Sequence, residues 1–339
     1  MEIINREFLD VCTKTCHAST MVIDPRTIDP VFAWFGGVRE GESDSSIYVQ
    51  YAGVVKTIGT KNSVAYWNPI LFSINNRIYL SFKIGIYCDR WQTYIVDITE
   101  ALDDIYCDRQ TDIKNLDYLE PQIIPAGLNF CVKTKPIIEP NGLIYCGSSV
   151  ESIFDWSSYC EIFTLEDGRF VFIDRSKPLT VEKQIVMMEG FFGMVTKRKT
   201  LGIIQPALWK DNIGRIHAFF RSSRGLGKIY YAMRSQETQD WTSPCPTKFD
   251  NPNSSIDVVY SDKRLFLAHN PDKKYRYPLV ISELNKDFEI KEQLMISEKP
   301  NNDCFSAEFS YPFMIEKNGI LHLTYTFERD KIEYVQIKV

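Results

Sequence analysis

Residues 34–44, WFGGVREGESD, place Glu40, Glu42 and Asp44 within five positions of one another and beside Arg39. Carboxylates crowded together resist simultaneous ionisation, which keeps one of them protonated and able to act as an acid. One of the three is then a candidate proton donor. Arg39 either neutralises these acids or reaches a bound substrate. A second reactive stretch, CTKTCH (12–17), combines thiol and imidazole groups, which are zinc ligands. No further Cys/His pair of suitable spacing follows it, so the reading requires no metal and no cofactor.

Such residues need a scaffold, and the chain carries a repeated one. Six stretches pair a β-rich run with a tight turn and a second β-rich run, the first in shortened form: 29–37, 69–85, 135–149, 206–223, 258–270 and 312–327. Turns such as NN, NG, NIG and DK suit hairpins because these residues enter left-handed backbone angles readily. Spacings of roughly 45 to 75 residues leave room for two more strands per unit, the content of a four-stranded propeller blade. The segments 99–121 and 181–201 break the rhythm and read as insertions with a short helix each, the MMEGFF run in the second packing onto the body. The expected fold is all-β, a six-bladed β-propeller spanning 1–339 as one domain, with KIEYVQIKV (331–339) as the strand that closes the ring onto the first blade.

Composition narrows the partners. The chain has 339 residues, 44% of them apolar, and a net charge of −5 with both signs intermixed. It offers no basic stripe for nucleic-acid phosphates and no polybasic segment for anionic lipid. The start, MEIINREFLDVC, lacks the layout of a secretory signal, and no run approaches the roughly 20 apolar residues of a membrane span. Nine scattered cysteines fit reduced thiols. A cytoplasmic location is expected, and the oligomeric state stays open.

The sequence resembles the sialidase-like proteins with bacterial neuraminidase repeats, in particular their predicted-neuraminidase branch. The resemblance rests on CHASTMV (16–22), WFGGVREGESD (34–44), WNPILF (67–72), KPIIEPNGLIYCGSSVES (135–152), IIQPALW (203–209), FFRSS (219–223), NPNSSID (251–257), RYPL (276–279) and EFSYPFMI (308–315), in family order along nearly the whole chain. The naming repeat, S-x-D-x-G-x-T-W, survives only in degraded form as SQETQDWT (235–242) and EDGRFVF (166–172). The resemblance implies a six-bladed propeller and an exo-glycosidase site for a terminal acidic sugar. In that family three arginines hold the substrate carboxylate, a tyrosine paired with a glutamate is the nucleophile, and an aspartate is the acid. Forked guanidiniums suit this task because they match a carboxylate with two hydrogen bonds.

Carried over by motif, Arg221 and Arg276 match the second and third arginines, Tyr311 the nucleophile and Asp44 the acid. His17 stands where the first arginine is expected, and Gln205, 16 residues before Arg221, stands where the glutamate is expected. Glutamine cannot accept a proton. Another acid must then activate Tyr311, either Glu151 or Glu308. An offset of three puts Glu308 on the opposite face of a regular strand, which favours Glu151. His17 is a general base or a neutral donor to a sugar oxygen. Lys135 supplies the missing positive charge, and Asn68, with Trp67, Trp156, Asn253 and Asn270, is expected to line the pocket. Three functions fit these residues: hydrolysis of a terminal ulosonic acid, elimination on a uronic acid by His17 and Tyr311, and carbohydrate binding without turnover.

Overall fold

The computed structural model describes residues 1–59, 64–107, 115–152, 155–181, 186–189, 195–199, 201–299 and 308–339, with backbone alone at 186–189 and 195–199. Twenty-four strands form six four-stranded antiparallel sheets. Blade 1 comprises Thr15–Ile23, Pro30–Gly37, Ser46–Tyr51 and Val54–Ile58. Blade 2 comprises Tyr66–Ile74, Arg77–Ile84, Gln92–Asp97 and Gln122–Ile123. Blade 3 comprises Ile137–Ile138, Ile144–Glu151, Trp156–Glu166 and Arg169–Arg175. Blade 4 comprises Ile203–Lys210, Ile216–Ser222, Lys228–Arg234 and Cys245–Asp250. Blade 5 comprises Asp257–Ser261, Arg264–His269, Leu279–Leu284 and Ile290–Ser297. Blade 6 joins Phe309–Lys317, Ile320–Phe327 and Lys331–Lys338 to the N-terminal strand Glu2–Phe8. The ring therefore closes in the opposite sense to the expected one. The first strand of the chain completes the last blade, Glu2 pairing with Lys338 and Phe8 with Glu333.

From blade 3 through blades 4, 5, 6 and 1 to blade 2, the first strand of each blade touches that of the next around the axis. Four of them share one irregularity. Residues 18–19 lie opposite Trp34 alone, 68–69 opposite Phe82, 205–206 opposite Phe220, and 311–312 opposite Tyr325. Each is a β-bulge whose first residue is left-handed: Ala18 at φ 51°, Asn68 at 40°, Gln205 at 51° and Tyr311 at 55°. The second residue is proline in three of the four, Pro69, Pro206 and Pro312. Proline fits because a bulge position has no ladder bond for an N–H to make. The four facing aromatics are buried, each contributing on the order of 1.5–3 kcal/mol, and they anchor the bend from the core side.

The two insertions differ from one another. Thr99–Cys107 is the expected short helix, burying Ala101, Leu102 and Ile105 and begun by the Asp97 carboxylate accepting from the Thr99 N–H at 2.9 Å. The second holds no helix among its described residues. Val186–Glu189 pairs with Val195–Lys199 as a two-stranded ribbon, and residues 190–192 of MMEGFF lie outside the described residues. Among the described residues no helix is long and apolar enough to cross a membrane.

Candidate functional site at one end of the axis

The bulges lie near the starts of the first strands, beside the ends of the second strands. This end of the axis collects the charged side chains. Gln205 and Tyr311 begin the bulges of blades 4 and 6 and His17 directly precedes that of blade 1, while Glu151 and Arg221 lie at the ends of the second strands of blades 3 and 4. Arg276 and Arg329 belong to turns after the second strands of blades 5 and 6.

Arg221 is held by three neutral oxygens. Its Nη1 donates to Tyr311 Oη at 2.7 Å and to Gln205 Oε1 at 2.9 Å, and its Nε donates to Asn253 Oδ1 at 2.9 Å. Its Nη2 has no hydrogen bond among the described residues. Asn253 also accepts from Arg276 Nη2 through its backbone carbonyl, at 2.8 Å, and so spaces the two guanidiniums. Arg276 Nη1 pairs with Glu308 at 3.1 Å, and Arg329 Nε pairs with the same carboxylate at 2.9 Å. Burial alone would raise the Glu308 carboxyl, but Arg276 and Arg329 outweigh it and hold it below the usual range.

Arg329 is the residue that sequence reasoning missed. It sits in the FERDK turn, where Glu328 and Arg329 both have positive φ, and its Nη1 also pairs with Glu40. Non-glycine residues in left-handed geometry cost on the order of 1–3 kcal/mol and concentrate at functional positions. No sequence pattern joins residue 329 to residue 40; only the closure of the ring brings them together. Thus the third guanidinium exists, but blade 6 supplies it, while His17 occupies the expected place in blade 1.

His17 packs against Tyr311 with ring centroids 4.0 Å apart and the ring planes tilted by 51°, and meets Phe35 edge-on. Its Nδ1 shares a hydrogen bond with Thr326 Oγ1 at 2.9 Å and lies 3.8 Å from Glu308. Its Nε2 is buried with no partner among the described residues. Burial, then the charges of Arg329 and Arg276, drive its pKa well below the ordinary histidine value, so the ring is neutral. Glu151 accepts from Gln205 Nε2 at 3.3 Å, and burial raises its carboxyl above the ordinary value against the opposing effect of Arg221. The strand-parity argument against Glu308 fails because the Tyr311 bulge resets the alternation. Glu308 and Tyr311 both meet His17.

Other expected positions lie elsewhere. The three acids of 38–44 do not crowd one another: Asp44 is exposed and accepts from the Val38 N–H at 2.7 Å, Glu42 pairs with Arg39, and Glu40 pairs with Arg329. Arg39 is 79% exposed and paired with Glu42. Lys135 is committed to Asp257 at 2.8 Å and to the Val258 carbonyl. The ammonium beside Tyr311 is instead that of Lys133, 5.8 Å from the ring centroid. Asn68 is buried in the blade 2 bulge. Trp67 packs between Phe35 and Trp91, with its Nε1 donating to the Gly85 carbonyl. Asn270 ties the Pro278 and Phe309 carbonyls, and Trp156 is half-buried, its carbonyl against Gly202. Cys16 is buried and its thiol is pushed up by burial. No group of three metal-ligating side chains occurs among the described residues.

Six four-stranded blades around an axis whose one end gathers guanidiniums and a phenol define a sialidase-type β-propeller. The chain belongs to the BNR repeat-like domain family, whose profile matches residues 31–323. No curated protein matches it. Among solved structures, it is similar to a protein of unknown function from Dyadobacter fermentans DSM 18053, with a TM-score of 0.70, 11% identity, and coverage of 99% of this chain and 98% of the other. It is also similar to the α-L-arabinanase of Penicillium chrysogenum complexed with arabinobiose, with a TM-score of 0.57, 10% identity, and 99% and 98% coverage. The Trypanosoma rangeli sialidase in complex with the inhibitor DANA gives a TM-score of 0.59 at 10% identity; 96% of this chain covers 55% of that one. At these identities the shared property is the fold.

Proposed function

We propose that the protein is a glycoside hydrolase of sialidase-like type, acting on a terminal acidic sugar of the sialic acid or related ulosonic acid class. The observation that carries this reading is the charge count at the axis. Three guanidiniums converge, Glu308 and Glu40 neutralise Arg276 and Arg329, and Arg221 is bound only by neutral oxygens. Of the three guanidiniums, Arg221 has no carboxylate hydrogen-bonded to it, which suits a single substrate carboxylate. Tyr311 is the nucleophile, its Oη accepting from Arg221 Nη1 at 2.7 Å. Glu151, kept protonated to higher pH by burial, takes the proton-donor role first assigned to Asp44. Arg39 and Lys135 have no part in this reading, because they are already paired with Glu42 and Asp257.

The test is release of an aryl leaving group from glycosides of N-acetylneuraminic acid and its 2-keto-3-deoxy relative. Wild type is expected to turn over at least one of them, and Tyr311→Phe and Arg221→Met to lose about 100-fold or more. Absence of turnover across both acids would contradict the reading. The neutral His17 ring against Tyr311 favours elimination as the second reading, with His17 as base. A uronic acid glycoside, whose C5–H lies beside its carboxylate, separates the two when added to the series, because elimination leaves an unsaturated sugar that absorbs in the ultraviolet.

A further inference from the structure

The bulges that present His17, Gln205 and Tyr311 create a backbone problem. Each takes two residues out of the ladder, so the carbonyls of Ser19, Pro206 and Pro312 need partners other than the adjacent strand. One dipeptide of the segment leading into blade 3 serves all three. Thr134 Oγ1 donates to the Pro206 carbonyl at 2.7 Å, and Lys133 Nζ lies between the Ser19 and Pro312 carbonyls at 3.4 Å from each. Both residues are 1% exposed. The Lys133 ammonium also faces the rings of Tyr311, at 5.8 Å, and Phe313, at 5.3 Å.

A lysine is an expensive way to fill an axial core, since an apolar chain of similar length would avoid desolvating a charge. Burial pushes its pKa down to about 7. A residue kept at such cost, and bonded only to the backbone carbonyls of Ser19 and Pro312 beside two candidate site residues, has positioning as its natural role. We infer that Lys133, with Thr134, is the positioning residue of the site, bracketing the bulge carbonyls of blades 1, 4 and 6 so that His17, Gln205 and Tyr311 are held in register across the axis. Lys83 shows the same device one blade earlier. Its Nζ donates to the carbonyls of Asn129 and Cys131, on either side of Phe130, another left-handed residue at φ 51°.

The inference rests on the hydrolase reading in its kinetic arm alone. The full chain is compared with Lys133→Met and Lys133→Gln by thermal unfolding, by NMR of the aromatic rings and by turnover of the acidic aryl glycosides. Lys133→Met is expected to fold, the relief of a buried ammonium offsetting part of the cost of leaving the Ser19 and Pro312 carbonyls unpaired. The His17 and Tyr311 ring signals are expected to move in Lys133→Met, since each ring lies in the other's ring current. They are expected to return partway in Lys133→Gln, whose amide still donates to a carbonyl. Turnover is expected to fall about 100-fold in kcat with little change in KM, the effect of misplacing a reacting group by about 1 Å. Unmoved ring signals with wild-type kcat would overturn the inference. So would failure of both variants to fold, which would make Lys133 a folding residue. If wild type turns over no acidic glycoside while the ring signals still move, the hydrolase reading fails and the positioning inference stands.

Discussion

Arg221 donates to a phenol, an amide and a second amide, and none of the three cancels its charge. Glu151 lies beyond the first of those amides, with its carboxyl raised by burial. A carboxyl whose pKa is higher in the folded state than the ordinary 4.5 binds its proton more tightly when folded. Its contribution to stability is complete below that ordinary value and is lost as pH rises through the raised one. Glu151→Gln is expected to remove this share of the decline, measured by denaturant unfolding at stepped pH; an unchanged slope would mean that Glu151 is solvated. The types of Arg221, Arg276 and Tyr311 and their order in the chain were legible because each sits in a local motif. Arg329 was not, because its contacts cross from the last blade to the first through ring closure, and Lys133 was not, because residue type alone does not separate it from Lys135 two positions on.

At the scale of the strand, the hairpins were legible from alternating apolar runs and their turn residues, and five of the six lie as expected on the first two strands of a blade. In the remaining one, blade 1, the quoted stretch supplies only the second strand. The bulges were written in the sequence as well, as NP, QP and YP inside otherwise continuous strands. A proline there removes a ladder donor, so a regular strand is the wrong expectation and alternation cannot be counted across it. That is why the face assigned to Glu308 was in error. Blade packing depends on the same carbonyls. A Cβ added at Gly147 would lie 2.3 Å from the Pro206 oxygen, the atom that Thr134 binds. Gly147→Ala is expected to push the Gln205 bulge outward and to cost on the order of 1–3 kcal/mol, read from the shift in denaturant midpoint. Wild-type stability in that variant would contradict the close approach of blades 3 and 4.

Across the whole molecule the propeller holds together through its core and through a closure that joins residues 2–8 to 331–338. Its four histidines share one behaviour: burial lowers the pKa of His17, His217, His269 and His322 alike, His269 to about 4. A histidine with a depressed folded pKa takes its proton first in the unfolded chain. Its stabilising share is therefore full above the ordinary value of 6.5 and is lost as pH falls toward the folded value. Thermal stability is expected to drop between pH 6.5 and about 4, partly offset by the raised carboxyls of Glu151 and Glu161, and His269→Asn is expected to flatten the drop. An identical profile in that variant would contradict the burial of His269. The six blades bring Arg221, Arg276 and Arg329 to one end of the axis, and the central claim is that this group receives the carboxylate of an acidic sugar. The most direct measurement is calorimetric titration of the wild-type chain and Arg221→Met with N-acetylneuraminic acid and with a neutral hexose. Saturable binding of the acid alone, weakened by salt and lost in Arg221→Met, is the expected result. Equal binding in the two proteins, or binding of neither sugar, would contradict it.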